Sequence, residues 1–135
     1  MEMKIDFPGG KRVDAHFGQF TIMTDQPVVD GGQESAPMPF DLFLASLGTC
    51  AGIYVLGFCR SRDLSAEGIS IIERVYNDAT SGMVSQIGLE IQVPPAFPEK
   101  YLPALIRAAE LCAVKKHLET PPKIDVFTKV IEAAG

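Results

Sequence analysis

The chain has 135 residues, 47% apolar and 21% charged, proportions that suit one globular domain over residues 1–135. Its net charge of −5 argues against nucleic acid as a partner, because phosphate binding needs clustered Lys and Arg. The start Met-Glu-Met-Lys-Ile-Asp lacks a basic stretch followed by an apolar one, so no export signal is expected and the expected location is the cytoplasm.

Met1, Met3, Ile5 and Phe7 alternate with Glu2, Lys4 and Asp6, the period of a half-buried strand. Pro8-Gly9-Gly10 reads as a turn. Val13, Ala15 and Phe17 continue the alternation, and Gly18-Gln19 suits a two-residue hairpin loop into Phe20 and Ile22. Residues 25–39, rich in Pro, Gly, Asp and Ser, read as a loop. A helix follows from about Phe40 to Arg62. Gly68–Tyr76 and Val84–Val93 form a hairpin, with Ile87, Leu89, Ile91 and Val93 on its buried face. Pro98-Glu99 opens a second helix that carries Cys112 on its apolar side, and the β-branched run Ile124–Ile131 reads as a last strand. This order predicts an α+β fold with antiparallel sheets.

The first helix has eighteen uncharged residues between Asp41 and Arg60, apolar all round rather than along one stripe. That touches the lower length limit of a membrane span, but Ser46, Gly48, Thr49, Gly52 and Gly57 dilute its hydrophobicity, so a core helix is expected and no membrane. Burying it on all sides needs more cover than one short chain supplies, which predicts a homodimer.

The three cysteines form neither a disulfide framework nor a paired zinc pattern. Cys50 and Cys59, nine positions apart on one helix, lie on opposite sides and about 13 Å apart along the axis, too far for a disulfide. Cys112 is the remaining intramolecular partner for either. Small neighbours, Gly48, Thr49, Ala51 and Gly52, leave access to Cys50, whereas Cys59 reads as packing. Buried thiols are by default inert small hydrophobes, so spacing alone assigns no function to Cys50 or Cys112. The two histidines, His16 and His117, have no carboxylate cluster beside them, so no metal and no cofactor is expected. Ser46 lacks the G-x-S-x-G setting of a hydrolase.

Gly31-Gly32-Gln33, the helix Pro39-Phe-Asp-Leu-Phe-Leu-Ala-Ser-Leu-Gly-Thr-Cys50 and Glu110-Leu-Cys112 together resemble the OsmC/Ohr family of thiol-dependent hydroperoxide reductases, over nearly the whole chain. The resemblance implies an intertwined homodimer, with antiparallel sheets around two long central helices per chain and an active site at the dimer interface. It also implies that Cys50 is the peroxidatic thiol and Cys112 the resolving one, with an external dithiol, lipoyl-type or other, as reductant. An apolar pocket around Cys50 would favour organic hydroperoxides. An arginine from the N-terminal strands activates the thiol in this family and matches Lys11 or Arg12 here; only one faces the pocket if the segment is a strand, and Arg12 is preferred for its forked guanidinium.

Two positions depart from the family pattern. Phe40 stands where the better-known peroxidases have a glutamate, leaving Asp41 either to replace that carboxylate or to complement the helix dipole. Ala113 stands where the family has a proline. The expected function is therefore organic hydroperoxide reduction in oxidative-stress defence, through Cys50, Cys112, Arg12 or Lys11, and Asp41. The alternative is a redox-sensing or small-ligand-binding protein on the same fold without efficient turnover.

Overall fold

In the computed structural model, which describes residues 1–133, the N-terminal alternation becomes an antiparallel meander. Its strands are β1 (Lys4–Gly9), β2 (Arg12–Phe17) and β3 (Phe20–Thr24). Phe17 pairs with Phe20 across Gly18-Gln19, and Gly18 takes the positive φ of 53° that the first loop position of a II′ turn requires. Ile5 lies opposite Ala15 and Ala15 opposite Ile22, so the apolar side chains share one face as the period of two demands.

After a loop, α1 (Pro39–Ser61) begins with proline at its first position, where the missing N–H costs nothing. A hairpin of β4 (Ser70–Asn77) and β5 (Val84–Gln92) packs on it, with Val75 opposite Ile87 and Ile71 opposite Ile91. The core lies between α1 and the C-terminal half: Val55, Phe58 and Cys59 of α1 meet Phe97 and Leu105, and the Phe58 ring meets Tyr101 edge-on at 6.0 Å.

The expected second long helix is instead two short ones, α2 (Leu102–Ala109) and α3 (Ala113–Glu119). Between them Cys112 leaves helical geometry, at φ −47° and ψ 128°, which turns its side chain into the core and directs the first amides of α3 toward α1. Glu110-Leu111-Cys112 contains neither glycine nor proline, so local sequence gave no sign of the break.

The α1 helix is not covered on nearly all sides within the chain. Leu47, Ala51, Val55, Phe58 and Cys59 are buried, while Phe40 and Ile53 are exposed, because α2, α3 and β4 flank only part of it. By length and composition alone this helix could cross a membrane, a test that the core helix of a globular fold also passes. The expected last strand, Ile124–Ile131, has no regular secondary structure. A strand needs a neighbouring edge for its N–H and C=O groups, and this segment pairs with neither sheet of the chain.

Candidate functional site

The break at Cys112 brings together two thiols that are far apart in sequence. Cys50, partly buried at mid-α1, lies beside the backbone N–H of Val114, the Cys112 thiol and the backbone N–H of Ala113. These donors, Val114 foremost, hold its pKa below the ordinary thiol value against the opposing effect of burial. Cys112 is fully buried. Burial, together with the neighbouring Cys50 sulfur, pushes its thiol up, and the sulfur lies 3.9 Å from the Leu47 carbonyl oxygen. The pair is thus asymmetric, with the more accessible sulfur the more easily ionised. Both are free thiols, and the third, Cys59, is buried in the core with its pKa raised by burial alone, in keeping with a packing role.

The asymmetry has a local cause. Cys112 caps α3, so the free N–H groups of that helix's first turn point toward the neighbouring turn of α1, where Cys50 projects. Ala113 contributes one of these donors, which a proline at that position could not. The sequence names both thiols as candidates but not these amides, because a backbone donor leaves no mark in residue type.

The N-terminal cations stand elsewhere. The Arg12 guanidinium pairs with Asp14 at 2.8 Å, and Lys11 is exposed with its side chain against Gly31. With Gly9, Gly10 and Gln33 they line a cavity of about 280 Å³, so the basic segment meets the Gly31-Gly32-Gln33 loop. The strands of this meander pack chiefly on one another, whereas α1 packs on α2, α3 and β4; the basic segment and the thiols belong to different layers of the chain. Asp41 is exposed at the third position of α1, nine residues and about 13 Å of helix from Cys50 and on its opposite side. Phe40 packs its ring on Phe43 at 5.4 Å.

Asp25 organises the loop ahead of α1. Fully buried, it accepts hydrogen bonds from the Ser35 hydroxyl and from the backbone N–H groups of Gln26 and Ser35, which hold its carboxyl below the usual range, the Ser35 hydroxyl most strongly. Gly32 is obligatory in that loop, since a Cβ there would lie 2.0 Å from the Gln26 carbonyl oxygen.

Beside the thiols a groove of about 620 Å³ runs between the hairpin and the helices. Leu47, Ala51, Ile87, Leu89 and Ile106 line it, with Cys112 in its wall.

Comparison with known proteins bears on the family and the fold. The family model for OsmC-like proteins matches residues 31–127, which include both thiols. A structure from Psychrobacter arcticus 273-4, provisionally described as an osmotic stress induced and detoxification response protein, superposes with a TM-score of 0.72 at 25% identity, over 84% of this chain and 85% of that one. An OsmC-like protein from Mycoplasma pneumoniae gives a TM-score of 0.71 at 13% identity, over 89% of this chain and 87% of that one. The organic hydroperoxide resistance protein OhrB of Bacillus subtilis gives 0.55 at 19% identity, over 90% and 93%. No curated protein matches the chain. With a family match that spans the candidate thiols and an α+β architecture shared with the solved relatives, the chain belongs to the OsmC-like family.

Proposed function

We propose that this protein is a cytoplasmic, single-domain, homodimeric reductase of organic hydroperoxides that acts in defence against oxidative stress. The observation that carries this reading is the Cys50 sulfur held at the first amides of α3 with the Cys112 thiol beside it. The Cys50 thiolate attacks the terminal oxygen of ROOH and the O–O bond breaks. The alkoxide leaves and takes up a proton to give ROH, while Cys50 becomes a sulfenic acid. The Cys112 thiol then attacks that sulfur, forming a disulfide and releasing water. An external dithiol restores both thiols by two exchanges and is itself oxidised to its disulfide. Raised pKa suits Cys112 to this order, because it stays protonated until Cys50 has reacted.

Dimerisation is supported by the apolar surface this chain leaves uncovered. Ile53 of α1, Phe7 and Phe20 of the meander, and Ile124, Val126, Phe127, Val130 and Ile131 of the C-terminal arm are all exposed. In the assembly we propose, a second copy covers these faces and brings Lys11 or Arg12 to the thiols, with Asp41 at the helix entry. The homodimer then adds a cation from the N-terminal segment, which within one chain packs apart from the thiols.

The test is a free-thiol count after one equivalent of cumene hydroperoxide. Wild type should lose two thiols rapidly, Cys112→Ser should stop at a trapped sulfenic acid, and Cys50→Ser should consume no peroxide. Three thiols retained in wild type would refute the reductase. A second reading, a ligand-binding or redox-sensing protein without efficient turnover, draws on the apolar groove beside Cys112 and on the absence of a carboxylate at Phe40. Oxidation that proceeds once and is not reversed by dithiols would favour it.

A further inference from the structure

Glu73 occupies a position that the rest of its sheet face reserves for apolar residues. It lies between Ile71 and Val75 on β4 and opposite Leu89 on β5, whose same-face neighbours are Ile87 and Ile91. The adjacent cation, Arg74, points to the other face and is engaged there by Glu90 at 3.1 Å. Among the described residues, the Glu73 Oε1 atom is buried without a hydrogen-bond donor, and Oε2 faces the backbone of α1 at Gly48, where a Cβ would lie 3.1 Å away. Thr49, the α1 hydroxyl in the cavity lining, already donates to the Ala45 carbonyl. Burial alone raises the pKa of the carboxyl, with no compensating donor or cation.

The space around this carboxylate is a cavity of about 440 Å³ between β4 and α1. Ala45, Gly48, Thr49 and Gly52 of α1 line it together with Ile69 and Ser70, and Glu73 is the sole titratable side chain in its lining. Gly48 and Gly52 lie two positions either side of Cys50 on α1, about 160° around the helix from it, so this cavity is on the side turned away from the thiols.

We propose that this cavity is a second ligand site, for a molecule that carries a primary ammonium group on an apolar body. A carboxylate in an apolar wall is costly unless a charged donor meets it, and an ammonium supplies both the countercharge and the hydrogen bonds. The lining offers no cation to attract an anionic head group, and the small residues of α1 leave room for an alkyl chain. The site is independent of the hydroperoxide reading, since Gly48 and Gly52 face away from Cys50 and Glu73 has no part in that chemistry.

The probe is n-octylammonium chloride, titrated into the intact protein by calorimetry and followed by amide NMR shifts, with sodium octanoate as the equal-length anion. Expected are saturable binding at one per chain, shifts centred on Gly48, Gly52, Ile71 and Glu73, and no saturation by octanoate. Glu73→Gln should weaken binding about tenfold, the loss of one charge-assisted hydrogen bond, at unchanged thermal midpoint or higher. Gly52→Leu should abolish binding by filling the cavity while leaving Glu73 in place. Equal affinity of wild type and Glu73→Gln, equal binding of octanoate, shifts centred elsewhere, or no saturation because a second copy fills the cavity would each overturn the proposal.

Discussion

The lowered pKa of Cys50 rests chiefly on a backbone group, the Val114 amide, with the Cys112 thiol second. The amides of Val114 and Ala113 stabilise its thiolate, so reaction with hydroperoxide should speed up as pH rises and level off below the pH at which an ordinary thiol ionises. Ala113→Pro removes one donor while keeping a residue that the first helical position tolerates. Its expected effect is a thiolate midpoint shifted to higher pH and a slower reaction at neutral pH, read from thiolate absorbance and from peroxide consumption across a pH series. An unshifted midpoint would leave the Val114 amide and the Cys112 thiol as the groups that lower it. Gly32 tests the loop in a different way. Its Cβ would meet backbone rather than a movable side chain, so Gly32→Ala should cost roughly 2–4 kcal/mol in denaturant unfolding.

At the scale of elements, the alternating strands were legible because a period of two is a local property that each hairpin satisfies by itself. β1, β2 and β3, together with the β4–β5 hairpin, appear where the alternation placed them. The second helix was misread because the break at Cys112 is imposed by packing against α1, not by a helix-breaking residue. Leu105, on α2, is nearly fully buried against α1 and Phe97, so Leu105→Ala should cost about 2–5 kcal/mol and loosen the contact that seats α2 on α1. Glu73 runs the other way. Its raised pKa favours the folded state while both forms are protonated, and that contribution is lost as pH climbs past the ordinary carboxylate range. Glu73→Gln should therefore flatten the decline of stability from acid to neutral pH, measured by thermal unfolding in parallel buffers.

For the whole molecule the decisive surface is the one the chain leaves uncovered. If the C-terminal arm pairs with a second copy, Val126→Asp together with Phe127→Asp should convert the dimer to monomer in sedimentation velocity and should lower peroxide consumption without altering the thiol count. A dimer that survives both charges would place the interface elsewhere. Sequence by itself determined the class of fold, the strand faces and the motif that marks the family, because strand periodicity, turn glycines and the α1 residues around Cys50 are written in neighbouring positions. Only tertiary structure decided that Cys112 and the first amides of α3 lie beside Cys50, and that Glu73 lines a cavity with one carboxylate oxygen buried and without a donor. Those contacts join residues tens of positions apart, and their geometry arises from how helices and sheets pack rather than from any local pattern.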